Sequence, residues 1–292
     1  MKFLVIGASG FVGRHIFNYL KASGNQVIGT QSSARQLGLV NFDLHQQRIK
    51  DLVAPAFIGK DQDIYAILCV KHGLMDRYAE QHSISYEMEV EKMQVLIDDL
   101  ISLKIKPVYL TTSYVFDGND GDYAEDSSHC PISEYGRQKA EMEKFVTRSK
   151  HDILALRLDK IVGDNPVEDH LFSEWNELVA QKKPILCIKD QIFSPTHVED
   201  IARGVIKACT GRLSGLFNLV NPEPWLRSDL AKEFVAQKGS QIEVISKDQA
   251  DFNFGDARPL KTYLNPSAFI EMTGMQFISM KEVISAFVSK TV

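Results

Sequence analysis

A chain of 292 residues with 44% hydrophobic and 24% charged side chains has the make-up of a globular protein, and it is long for a single hydrophobic core. A formal charge of −5, from 38 acidic and 33 basic residues with no dense Lys/Arg cluster, argues against nucleic acid or an anionic membrane as the main partner. Apolar runs such as 65–70 are far too short to cross a bilayer. The cysteines (Cys69, Cys130, Cys187, Cys209) are scattered without CxxC spacing, which argues against a metal site or disulfide framework and for reduced thiols in a cytoplasmic protein.

The first segment, Met-Lys-Phe-Leu-Val-Ile running into Gly7, reads as a buried strand meeting a turn rather than as a signal peptide. This first strand is expected at Lys2–Gly7, and further strands at Gln26–Thr30, at a short segment ending near Phe42, and at Asp63–Val70, Pro107–Thr112 and Ile153–Leu158. Helical spacing separates them; Met93, Leu96, Ile97, Leu100 and Ile101 fall at i, i+3, i+4, i+7 and i+8. Apolar strands without alternation suit a parallel sheet covered on both faces, so the fold class expected is α/β, a doubly wound parallel (Rossmann) sheet. Beyond about residue 160, prolines at 166, 184, 195, 222, 224, 259 and 266 shorten the elements. The expected division is a nucleotide-binding domain at 1–160 and a smaller α/β substrate lobe at 161–292, part of which returns to the sheet.

Gly7-Ala8-Ser9-Gly10-Phe11-Val12-Gly13 joins the first strand to a helix carrying Val12, Ile16, Tyr19 and Leu20. Glycines at this spacing let the backbone turn sharply and approach a pyrophosphate, with helix N–H groups aimed at its oxygens. A plain tight turn is the bland alternative, but the strand–turn–helix setting favours a dinucleotide. The second strand ends in Thr30-Gln31-Ser32-Ser33-Ala34-Arg35, where an NAD site usually carries an acidic residue. Hydroxyls of Ser32 and Ser33 with the Arg35 guanidinium suit a 2′-phosphate, Arg14 offers a second cation, and NADP is favoured over NAD. Asp43 is a candidate for the adenine edge; Leu44 and Cys69 complete the expected cofactor-binding set.

Tyr135 and Lys139 lie four apart in Ser133-Glu134-Tyr135-Gly136-Arg137-Gln138-Lys139, which places both on one helix face. An ammonium beside a phenol favours the phenolate, so the pair can move a proton to or from a substrate oxygen while hydride moves at carbon. Thr112 ends the fifth strand at the carboxyl edge of the sheet, where α/β proteins bind ligands, and can hydrogen-bond the same oxygen.

With these pieces in order, the sequence resembles the extended short-chain dehydrogenases/reductases, and within them the dTDP-4-dehydrorhamnose reductase family. It is also similar to that family's non-catalytic relative, the regulatory subunit of methionine adenosyltransferase. The matching residues are Gly7–Gly13, Tyr114-Val115-Phe116-Asp117-Gly118, and Pro131 through Tyr135-Gly136, Lys139 and Glu143. Later matches are Asp190-Gln191, Pro195-Thr196, Asp200-Ile201-Ala202 and Ala257-Arg258-Pro259. The resemblance implies catalytic roles for Thr112, Tyr135 and Lys139, with Lys139 also holding the nicotinamide ribose. It implies a nucleotide-sugar substrate contacted by Ser113, Tyr114 and Arg258, with Arg258 gripping a diphosphate or forming a structural salt bridge.

Three departures stand out. Ser113 replaces the family's acidic residue after the threonine, Cys69-Val70-Lys71-His72 replaces a small-residue stretch, and Val90-Glu91 stands for a customary Val-Asn. All three lie near cofactor or substrate in the family. The leading reading is an NADPH-dependent reductase of a keto nucleotide sugar. A nucleotide-sugar epimerase or dehydratase, and a non-catalytic NADP-binding regulatory subunit, remain the alternatives. A homodimer is compatible with either class, and Trp225, Phe172 and His197 read as structural.

Overall fold

Strands apolar on both sides must be covered on both sides, and the fold follows from that. The computed structural model describes residues 1–32, 36–53, 63–70, 73 and 75–291. The first half runs β1 (Lys2–Ile6), α1 (Phe11–Ala22), β2 (Gln26–Gln31), β3 (Val40–Asn41), α2 (Ile49–Leu52), β4 (Ile64–Leu68), α3 (Asp76–Glu80) and α4 (His82–Tyr86). One π-helical turn (Glu87–Lys92) follows, then α5 (Met93–Ser102), β5 (Lys106–Thr112), α6 (Glu134–Arg148) and β6 (Leu154–Leu158). The second half adds β7 (Ile161–Val162), α7 (Leu171–Ala180), β8 (Ile185–Ile188), β9 (Ile192–Phe193), β10 (Thr196–His197), α8 (Val198–Thr210) and β11 (Gly215–Asn218). It closes with β12 (Trp225–Leu226), α9 (Arg227–Gln237), β13 (Val244–Lys247), α10 (Ser267–Thr273) and α11 (Met280–Ser289).

Seven parallel strands form the central sheet in the order β11-β6-β5-β4-β1-β2-β3. Along β1, Phe3 and Val5 enter one core with α1 and α8, while Leu4 and Ile6 enter the other with α5 and α6. All four are fully buried, which explains why the strand shows no polar alternation. Strand order reverses between β1 and β4, and the pairing of Ile6 with Leu68 sets Gly7 and Cys69 side by side at that switch point.

β11 comes from the second half of the chain and pairs with β6, and α8 packs over α1 in the same core. Outside the sheet a third core gathers Phe172, Trp175, Phe234 and Phe287, with the Phe172 and Phe234 rings stacked at 5.5 Å. Phe172 and His197 are buried, and Trp225 is half-buried at the edge of this core. No helix among the described residues is long and apolar enough to cross a membrane.

Candidate active site

The turn after β1 is dictated by a close approach. Gly7 leaves the sheet at a φ of +88°, and a Cβ on Gly13 would stand 2.2 Å from the Gly7 carbonyl oxygen. Two side-chain-free positions therefore let α1 begin directly against the strand end. Gly7 N–H donates to Thr30 Oγ1 at 3.1 Å, tying the loop to β2. Gly10 is the helix N-cap and no acidic residue occupies the first turn of α1, so its amides and dipole face the cleft without a built-in anion. Ser9 completes the loop, and Phe11 and Val12 open α1; the Phe11 ring stacks on His170 at 5.7 Å.

The remaining cofactor candidates are distributed unevenly. Ser32 is exposed at the end of β2, whereas Ser33 and Arg35, like Lys71 and His72, lie outside the described residues. Arg14 is ion-paired with Glu168 at 2.6 Å, and His15 shares that carboxylate at 2.9 Å. Burial pushes the Glu168 carboxyl up, but its hydrogen bonds with His15 and Arg14 bring it below the usual carboxylate range. Asp43 accepts the His45 N–H at 2.9 Å within its own turn, and Leu44 packs into the α5-side core. Cys69 flanks Gly7, and burial pushes its thiol up to about 12, so it is an uncharged wall rather than a nucleophile.

At the end of β5 the chain turns through a short 3₁₀ segment, Ser113–Val115, capped by Thr112 Oγ1 accepting the Tyr114 N–H at 3.3 Å. This segment abuts the first turn of α6, where a Cβ at Gly136 would meet the Tyr114 carbonyl oxygen at 2.1 Å. The helix starts there because Ser133 caps it, its Oγ accepting the Gly136 N–H at 3.1 Å. Tyr135 is thereby set against β5, close enough to Thr112 for the two hydroxyls to influence each other, and its ring lies 5.8 Å from Lys139 Nζ. Thr112, Tyr135 and Lys139 converge at the carboxyl edge of the sheet.

One group at this centre went unread in the sequence. Glu89 is buried and its Oε2 meets Lys139 Nζ at 2.7 Å, while its Oε1 accepts the Tyr78 hydroxyl at 2.6 Å. Tyr78 packs edge-on to Tyr135, with ring centres 4.9 Å apart. The departure noted at Val90-Glu91 is displaced by this geometry: Glu91 is exposed, and the inward carboxylate is Glu89, two positions earlier. A π turn shifts helix phase by one residue, and side-chain periodicity at 3.6 gives no signal of it. Burial by itself would lower the Lys139 pKa, but Glu89 and the surrounding phenols lift it well above the ordinary lysine value. The Tyr135 phenol is raised, chiefly by burial; the Lys139 ammonium and Thr112 act against this, and Glu89 adds to it.

From the second half of the chain, residues 254–262 lie across this edge. Asp256 Oδ2 accepts the Glu134 N–H at the start of α6, 2.6 Å away. Arg258 is buried, pairs with Asp76 at 2.5 Å and stands 5.2 Å from the Phe254 ring centre. Its Nη1 is buried with no hydrogen-bond partner among the described residues. Tyr114 is raised to about 12 by burial, opposed by the nearby Arg258. Ser113 does not face the centre but donates its hydroxyl to Asp159 at 2.8 Å. Asp159 also accepts Thr262 Oγ1 and Ser194 N–H, yet burial raises its carboxyl to about 6. Nothing local in the sequence marks Asp159, whose partners lie 35 to 103 positions away. A surface cleft of about 390 Å³, walled by Trp175, Leu178, Pro184, Leu186 and Arg227, opens in the second half of the chain.

Known proteins share this framework. The family model described as RmlD substrate binding domain matches residues 1–292. The spore coat polysaccharide biosynthesis protein SpsK of Bacillus subtilis is 25% identical over 99% of this chain and 97% of its own. Methionine adenosyltransferase 2 subunit beta of Xenopus laevis is 24% identical over 68% of this chain and 59% of its own length. A crystal structure of dTDP-4-dehydrorhamnose reductase from Bacillus anthracis in complex with NADP superposes with a TM-score of 0.85, at 20% identity, covering 99% of each chain, which establishes the common fold. The full-length match of the family model makes this chain a member of the RmlD substrate binding domain family.

Proposed function

We propose that the chain is an NADPH-dependent reductase of a keto group on a nucleotide-linked sugar. The observation that carries this reading is the convergence of Thr112, Tyr135 and Lys139 beside a side-chain-free loop at the sheet's switch point. The resemblance to the Bacillus anthracis reductase, solved with NADP, supports it. The loop Gly7–Gly13 and the start of α1 fit a pyrophosphate, since their amides meet no acidic side chain. Bound there, NADPH would supply hydride to the substrate carbon. Ser32, Ser33 and Arg35 would hold its 2′-phosphate, as the sequence of this segment favours.

In this reading Tyr135 gives its proton to the substrate oxygen, and Thr112 orients that oxygen. Lys139 meets Glu89 as an ion pair at 2.7 Å, and a lysine ammonium has three donors, so Lys139 keeps donors for a ribose hydroxyl. Arg258, with its orphaned Nη1, takes a substrate diphosphate, and Tyr114 lines the way to it. The cleft around Trp175, with Glu174, Lys183 and Arg227 also on its wall, has the size for a nucleoside. Residues 161–292 thus serve as the substrate lobe, and 1–160 hold the cofactor. A second reading, a cofactor-binding module that acts by contacting another protein, draws on the likeness to methionine adenosyltransferase 2 subunit beta.

The test is a panel of keto nucleotide sugars followed by loss of NADPH absorbance. At least one should be reduced. Tyr135→Phe should retain NADPH binding while turnover falls about 10²- to 10⁴-fold. Unchanged turnover in that variant would remove Tyr135 as the acid, and a tight protein complex without turnover would favour the binding module.

A further inference from the structure

The proton transfer just described leaves one buried charge without a task. Glu89 is 1% exposed and sits in the π turn between α4 and α5, which turns it inward beside Val90 while Glu87 and Glu91 stay in solvent. Such turns depart from α-helical geometry and are found frequently at functional sites. Burying a carboxylate is costly unless it is paired. Here both of its oxygens are engaged, one with Lys139 and one with Tyr78.

Among the described residues, the groups facing Tyr135 come from several elements. Helix α6 supplies Lys139, the π turn Glu89, β5 the Thr112 hydroxyl, and α3 the Tyr78 phenol. Tyr109 on β5 faces the Lys139 ammonium at 5.2 Å. Tyr114 lies 5.9 Å away ring to ring, backed by Arg258, which is itself paired with Asp76. A lone ammonium at Lys139 would pull strongly toward a phenolate. With a carboxylate 2.7 Å from that ammonium, the pair has no net charge, and its field at the phenol is that of a dipole.

We propose that Glu89 is a positioning residue that clamps Lys139 and keeps Tyr135 in its protonated form, so that the centre begins its cycle as a proton donor. The proposal rests on the reductive reading and deepens it by giving the site a direction. In reduction the Tyr135 O–H bond breaks as the substrate oxygen gains that proton and the carbonyl carbon accepts hydride; the phenolate left beside Lys139 then recovers a proton from water. An enzyme that begins by oxidising an alcohol, as an epimerase does, needs the phenolate first, and Glu89 opposes that state.

Tyrosinate absorbance of the cofactor-free protein, with Tyr135→Phe as background, reports when the Tyr135 phenol ionises. Glu89→Gln keeps the side-chain shape and an acceptor for Tyr78 but removes the charge. Tyr135 should then ionise at least about one pH unit lower than in the wild type, a tenfold change in the phenolate ratio, while Glu89→Asp stays near the wild type. Equal titration of Glu89→Gln and wild type, or an equally large shift in Glu89→Asp, would overturn the proposal. Should Glu89→Gln fail to fold, Lys139→Met combined with Glu89→Gln removes both charges and suits a buried site. That double variant should titrate within about half a unit of the wild type if the pair acts as a neutral dipole, and a rise of more than about one unit would overturn the proposal. These titrations need no turnover. The expected shift in a protein that reduces no keto sugar would therefore sink the reductive reading while leaving the charge arrangement at Glu89 supported.

Discussion

Arg258 and Asp76 lie 182 positions apart in the sequence and meet at 2.5 Å, joining the second half of the chain to the short helix that carries Tyr78. Asp76 Oδ1 also accepts the Gly255 N–H at 3.1 Å, so one carboxylate holds both the guanidinium and its approaching segment. The second guanidinium nitrogen is left facing inward without a partner among the described residues.

That arrangement makes Arg258 a measurable binding group. Removing a charge-assisted hydrogen bond costs roughly 1.5–3 kcal/mol, or about 10- to 100-fold in an equilibrium constant. Arg258→Ala should raise KM for a nucleotide-sugar substrate by that factor with a smaller change in kcat, as expected for binding shared by ground and transition states. Steady-state kinetics decide it. An unchanged KM would leave Arg258 as the structural partner of Asp76 and nothing more.

The glycine loop predicts a contrast between two neighbours. A methyl on Gly13 would sit 2.2 Å from a backbone oxygen, whereas at Gly10 the nearest atom is 3.5 Å away and φ is −74°. Gly13→Ala should lower stability by about 1–3 kcal/mol or more, because strand end and helix must separate. Gly10→Ala should stay within about 0.5 kcal/mol of the wild type in thermal or urea unfolding. Its effect on NADPH affinity, measured by fluorescence titration, then isolates how closely the cofactor approaches the backbone. Equal stability of the two variants would contradict the close contact.

Asp159 predicts a pH dependence of stability. Its carboxyl is raised by burial to about 6. A raised acid contributes its full stabilisation below its unfolded pKa, near 4, and loses it as pH climbs through the folded value. The loss between about pH 4 and pH 7 is roughly 3 kcal/mol. Asp159→Asn, uncharged throughout, forfeits the Ser194 contact by a constant amount at every pH. Measured by urea unfolding at about pH 4, 5.5 and 7, its stability relative to the wild type should rise toward neutral pH. A difference that does not vary with pH would show that Asp159 ionises in the fold as it does in the open chain.

Strand and helix positions were readable because they depend on short repeats. Full burial of Phe3 through Ile6 requires a continuous apolar run, and the i, i+4 spacing of Tyr135 and Lys139 puts them on one face wherever that helix goes. The strand expected at Lys2–Gly7 ends at Ile6, since Gly7 turns out of the sheet with positive φ. The glycine spacing likewise announced a close backbone contact, and Gly7 with Gly13 makes it.

Pairings between distant segments were not readable. Sequence placed a family departure at Glu91, but a single π turn rotated that residue to solvent and sent Glu89 to Lys139, 50 positions on. Ser113 followed the threonine and was assigned to substrate, yet β6 lies alongside β5 and brings Asp159 to it instead. Local sequence governs backbone conformation through steric and periodic rules that act within a few residues. Which charge meets which is settled by strand order and helix phase, and those are properties of the whole folded chain.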